Sequence, residues 1–186
     1  MLTLFRSDPL QQAAELAYRR VVDAARRPGF FLAGGGVPDT VDGRFELICL
    51  HAFLYLHRLK REHPRGTALG QRFFDAMFTD FDRSLREMGT GDLSVGREIR
   101  RMAEAFYGRV AAYEAALDAG DPDLAPALTR NLYGTAPATP AQIAAMTAYI
   151  RREAASLDRQ EATRLMAGDV AFGAPPPSSE PQPHQP

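Results

Sequence analysis

The strongest pattern along the chain lies between Leu69 and Leu117. Phe74, Phe78, Phe81, Leu85 and Met88 recur at steps of four and three, which places five large apolar side chains on one helix face. After the corner Glu87-Met88-Gly89-Thr90-Gly91-Asp92-Leu93 a second stripe follows, with Val95, Ile99, Met102, Phe106, Val110, Tyr113 and Leu117. Glycine takes positive φ without steric cost, so Gly89 reads as the residue that ends the first helix and Gly91 as the turn. Asp92 or Ser94 then caps the second helix. The spacing predicts an αα-hairpin whose two stripes meet as the core.

The flanking segments read as helices too. Asp8-Pro9 starts one that runs to about Arg26, with Leu10, Ala14, Ala17, Val21 and Ala25 facing inward, and Pro28-Gly29 ends it. The stretch from Phe30 to Pro38 holds three consecutive glycines, but a phosphate cradle needs a strand before it and none is patterned there. A connecting loop pinned by Phe30 and Phe31 is expected. Val41 to Glu62 is apolar nearly all round, as a helix surrounded by others is. Asp121-Pro122 opens a short helix to about Tyr133, and Thr139-Pro140 a last one to about Met166. Both are rich in Ala and poor in large apolar residues, which predicts weak packing or a partner. The proline-rich stretch 168–186 is expected to bury nothing and to be disordered. The fold class is therefore all-α: a single-domain multi-helix bundle over residues 1–167, built around a central αα-hairpin, followed by a tail over 168–186.

Composition narrows the function classes. A chain of 186 residues, 45% of them hydrophobic, suits one core. Its net charge of -1 exerts no global pull on nucleic acid or anionic lipid. The longest apolar run, Leu47 to Leu56, is about half of what a membrane-spanning helix needs and contains His51. Met1 to Arg6 breaks off too early for a secretory signal. The expectation is a soluble, cytoplasmic protein with no membrane span. Cys49, the lone cysteine, sits in an apolar run and reads as a small core residue.

Catalytic chemistry finds no home. Asp75 and Asp80 are five apart, about 140 degrees around a helix, and with Asp82 they fit no metal or diphosphate site. His51 and His57 lack metal spacing, and His51 reads as a satisfied interior histidine. No metal, cofactor or catalytic residue is therefore expected. Asp80 borders the apolar stripe, where a carboxylate needs a partner; an arginine of the second arm or a backbone amide is the expected one. Arg83, Arg86, Arg97, Arg100 and Arg101 surround the corner, and with the Phe30-Phe31 loop they are the candidate partner-binding residues. The sharper reading of these arginines is a surface for RNA phosphates, anionic lipid or an acidic protein segment; solvated side chains are the default.

The run from Phe78-Thr79-Asp80-Phe81-Asp82-Arg83 through the corner to Ser94-Val95-Gly96-Arg97, then Ala105-Phe106-Tyr107-Gly108-Arg109 and Tyr113, resembles the signature of the ubiquinol–cytochrome c chaperone family. Arg44-Phe45-Glu46-Leu47 and Gly70-Gln71-Arg72-Phe73-Phe74-Asp75 extend the likeness over about 41–117. Thr90 stands where an apolar residue is common, and Arg97 where lysine is. The resemblance implies an all-helical, non-enzymatic chaperone of bc1 complex assembly that binds newly made cytochrome b. Mitochondrial members act near the ribosomal tunnel exit with a small partner protein, so ribosome and small partner are further expected contacts; DNA is not. Phe74, Phe78, Asp80, Phe81, Gly89, Gly91, Asp92, Phe106 and Tyr107 are expected to be scaffold. Such a chaperone is expected in the cytoplasm, peripheral at the cytoplasmic face of the inner membrane; the alternative class is a basic-surface module for nucleic acid or a membrane surface.

Overall fold

A computed structural model describes residues 8–119 and 121–177, and these form seven α-helices with no strand among them. Helix α1 is Pro9–Ala25, α2 Val41–Leu59, α3 Arg65–Glu87, α4 Asp92–Ala119, α5 Asp121–Asn131, α6 Pro140–Arg159 and α7 Ala162–Met166. Local chemistry sets the ends. The Asp8 carboxylate accepts from the Leu10 amide ahead of Pro9, and Thr40 Oγ1 accepts from the Gly43 amide. Thr139 and Gln142 close a reciprocal capping box at α6. At the end of α3, Gly89 takes φ +88 while its amide reaches Arg86 O and the Thr90 amide reaches Leu85 O. That pair of bonds is a Schellman stop, and it turns the chain into α4.

Helix α2 is the centre. Thirteen of its nineteen residues are buried, on every side of the helix. Around it α1, α3, α4 and α6 form a ring in which α5 bridges α4 and α6. The small inner face of α1, with Ala14, Ala17, Val21 and Ala24, lets it lie close to both α2 and α3. The hairpin is present but less self-sufficient than its stripes predict. Leu69, Phe73 and Met77 carry α3 onto α1 and α2, while Phe74 and Phe78 turn to α4. Met88, expected inside, is 58% exposed because the helix stops at that residue, and Val41 is likewise exposed in the first turn of α2.

Three expectations about the C-terminal half change. The last helix breaks at Gln160, whose backbone is extended, so α6 and α7 are separate. Helices α5 and α6 do not pack weakly: Leu124, Leu128, Met146, Tyr149, Ile150 and Leu157 have almost no exposed surface. Few large residues suffice because each points inward. Finally, residues 168–177 are folded onto the bundle. Gly168 takes φ +82 against Ala13 O, and Val170 and Phe172 enter the core. Gln160 holds Ala171 by two hydrogen bonds, 2.7 Å to its carbonyl and 3.1 Å from its amide. Arg27 donates to the Phe172 and Gly173 carbonyls, and Glu153 accepts the Gly173 amide. This extended strap closes the ring between α6 and α1. The expectation of a disordered tail is thus corrected over 168–177, and its remainder, 178–186, lies outside the described residues.

Candidate functional site

Two polar pairs fix the frame on which a surface is built. Glu46 of α2 and Arg109 of α4 meet bidentately, with Arg109 Nε donating to Glu46 Oε2 at 2.5 Å and its guanidinium 5.5 Å from the centre of the Phe45 ring. Burial pushes the Glu46 carboxyl up from its ordinary value, against the pull of Arg109. His51 lies at the heart of α2. Its Nδ1 bonds to Leu47 O at 2.7 Å, which makes Nε2 the acceptor for the Tyr149 hydroxyl at 2.8 Å. Burial holds this imidazole down at about 4, so it is a neutral interior group.

The start of α3 lies against the end of α2. Gly66 and Gly70 let that end of α3 settle on α2: a Cβ on Gly66 would strike Leu59 O at 2.1 Å, and one on Gly70 would meet Leu56 at 3.2 Å. Between α3 and α4 an open groove of about 340 Å³ remains. Leu56 and Leu59 form its floor, and Phe74, Phe106, Tyr107 and Val110 its walls. Tyr107, expected to be scaffold, is 58% exposed and stacks on Phe74 at 5.3 Å between ring centres. A concave apolar lining under an exposed aromatic, with Lys60, Thr67 and Gln71 at its polar edge, is chemistry for holding an apolar segment.

Another groove, about 820 Å³ between α1 and α3, is polar. There the Tyr18 hydroxyl donates to Asp80 Oδ2 at 2.8 Å, and Arg83 pairs with Asp80 Oδ1. The partner of Asp80 is therefore not an arginine of the second arm but Tyr18 of α1 together with the arginine one turn on. Glu15, Asp23, Asp75 and Glu87 outnumber Arg19 and Arg26 around this pair, so the groove does not attract phosphate.

The remaining predicted contacts separate. Phe30 has no exposed surface; it sits edge-on to His51 and Tyr149 and is core rather than a contact, with Phe31 half-buried beside it. Arg86 joins Asp82 to Asp92 across the corner, and Arg101 pairs with Glu98. Between 80 and 101 the five arginines face five acids, Asp80, Asp82, Glu87, Asp92 and Glu98. That neutral sum is not a basic patch. Only Arg97 and Arg100 of this group make no ion pair among the described residues. Among those residues, too, no group of His, Cys, Asp and Glu is placed to hold a metal ion, and no helix is long and apolar enough to cross a membrane.

Sequence reasoning missed the Glu46–Arg109 pair and the groove. The pair had a signal: one acid interrupts the apolar run of α2 and one arginine the stripe of α4.

Comparison with known proteins adds the decisive observation. Residues 34–172 match the model of the family described as Ubiquinol-cytochrome C chaperone. The chain belongs to this family. The frame, the groove and the first half of the strap fall within that span. Among curated relatives, Ubiquinol-cytochrome-c reductase complex assembly factor 1 of Xenopus laevis is 27% identical over 137 residues, covering 73% of this chain and 68% of the frog protein. Its Mus musculus counterpart is 26% identical over 161 residues, covering 86% of this chain and 54% of the mouse protein, so the chain spans about half the length of that relative. The crystal structure of the Cbp3 homolog from Brucella abortus is similar, with a TM-score of 0.78 and 40% identity over 89% of this chain and 91% of that one. The all-helical fold of this chaperone is thus shared with a solved structure.

Proposed function

We propose that this protein is a non-catalytic chaperone for assembly of the ubiquinol–cytochrome c reductase complex. It binds newly made cytochrome b at the cytoplasmic face of the membrane and holds it until haem insertion or the joining of other subunits. One observation carries the reading: a chain of this family has an apolar groove walled by Phe74 and the exposed Tyr107, and no charged pair occupies its floor. An apolar client helix is the partner that such a lining suits. The neutral charge sum around the corner gives no support to a nucleic-acid or anionic-membrane surface.

The test is a photocrosslinking residue placed at Tyr107 in growing cells, with Asp75 as the control position on the other side of α3. Capture of cytochrome b from position 107, and its loss with Phe74→Asp, is the expected result. A deletion strain with normal reductase and cytochrome b levels rejects the function itself. Salt-dependent binding to RNA or anionic vesicles, without any effect on the reductase, would favour the alternative class instead.

A further inference from the structure

The outer face of α4 is left bare by the fold, and its charges are arranged in an unusual way. Arg100 and Glu104 are one turn apart in the order, cation first, that pairs poorly within a helix. Both are exposed, and neither makes an ion pair or a side-chain hydrogen bond among the described residues. Arg97, on the same side, likewise makes no ion pair among the described residues, whereas Arg83, Arg86 and Arg101 around the same corner each have an acidic partner. In the monomer all three charges stand in solvent without an ion pair among the described residues.

We infer that the complement to these charges is supplied by a second copy of the chain, docked antiparallel along this face about a two-fold axis level with Met102. Under that symmetry each residue n places before 102 faces the residue n places after it, on the partner copy. Arg100 then faces Glu104 twice, once from each copy, at the centre of the contact. Arg97 faces the exposed ring of Tyr107, a cation over an aromatic, so a second copy and a client in the groove compete for this ring. Gly96 faces Gly108. With about 100 degrees per residue, all six lie within about 60 degrees of one line down the helix, so they share the contact.

The glycines give independent support. Glycine is a poor helix former, and in this molecule the inward glycines earn their place by steric need: a Cβ on Gly43 would strike Pro38 O at 2.0 Å. A Cβ on Gly96 or Gly108 meets nothing within 4 Å. No neighbour in the monomer requires them; two backbones crossing closely at symmetric positions do. A partner unrelated to this chain gives no reason for opposite charges, glycines and a cation–ring pair to be placed in mirror order about one residue.

One helix from each copy makes a small interface, so reversible, concentration-dependent association is expected rather than a permanent dimer. Sedimentation of the full chain from about 1 µM to about 1 mM reads it, with the average mass rising from one chain towards two. R100E sets glutamates against Glu104, and E104R sets arginines against Arg100. Each swap alone weakens association at least about tenfold, with helicity by circular dichroism unchanged. An equimolar mixture of the two variants associates again, because one copy then carries only acids and the other only arginines at the centre. A wild-type chain that stays monomeric throughout, swaps that leave its association unaltered, or a mixture that does not recover it overturns the inference.

Discussion

Helix α2 and the outer face of α4 spend the same residue types in opposite ways. In and around α2, three tyrosine hydroxyls end on acceptors, Tyr55 on Leu165 O at 2.8 Å, Tyr149 on His51 and Tyr133 on Gly35 O at 2.5 Å, while that of buried Tyr113 does not. Arg58 reaches Leu157 O and Glu62, and Arg109 reaches Glu46. On α4's outer face Tyr107 is 58% exposed, Arg97 and Arg100 make no ion pair among the described residues, and a Cβ on Gly96 or Gly108 would meet nothing within 4 Å. The difference separates what the fold needs from what it leaves for other molecules. Interior polar groups that are paired within the fold require no partner, whereas an exposed aromatic beside unpaired charge and unexplained glycines is a surface awaiting one.

That contrast can be broken by substitution. Arg109→Leu leaves Glu46 buried without its cation and is expected to lower unfolding free energy by about 3 to 5 kcal/mol, read as a shifted urea midpoint. Removing both charges with Glu46→Leu and Arg109→Leu recovers much of that loss. If Arg109→Leu costs no more than a surface change, the pair belongs with the outer face and the division fails.

The pH response comes next. His51 is held neutral at about 4, against 6.5 for the free imidazole. Between those values the unfolded chain takes up a proton that the folded one does not, so stability falls as pH drops from about 6.5 to about 4. The full loss from this group is about 3 kcal/mol. Urea titrations at a series of pH values should show a shallower fall for His51→Gln than for the wild type.

The smallest effect has the opposite sign. Gly108→Ala adds a methyl group where nothing stands within 4 Å and should stabilise the monomer by about 0.5 to 1 kcal/mol. Gly43→Ala should destabilise it, since the new Cβ meets Pro38 O. Thermal melts of the two variants sharpen the distinction between glycines that serve the fold and glycines that do not.

Periodicity and end signals made α1, α2 and the hairpin corner readable. Asp8-Pro9, the apolar girth of α2 and Gly89 each determine their local geometry without help from distant residues. Partners were not readable in the same way. A stripe says which side of α3 is apolar, but α3 carries two stripes, one for α1 and one for α4, and only tertiary packing divides Phe73 from Phe74. The same holds for Asp80, whose hydroxyl donor comes from 62 residues away. The groove was hidden because it is lined jointly by α2, α3 and α4 around Gly66 and Gly70, and such a meeting of three helices has no periodic signature. The strap was misread for a compositional reason. Its prolines and small residues bury little surface themselves, yet they fit where Gly29 and Gly34 have given up a Cβ, 2.8 Å from Pro175 and 2.2 Å from Pro177 O.

Those two glycines, with Arg27, bind the opening fifth of the chain to segment 172–177. During synthesis α1 and α2 must therefore wait, with the side of His51 and Phe30 uncovered, until Phe172 has emerged to lie against them. A chaperone made this way gains its final seal only at a late moment of its own translation, and a chain cut short before that point should be recognised by cellular proteases as unfinished.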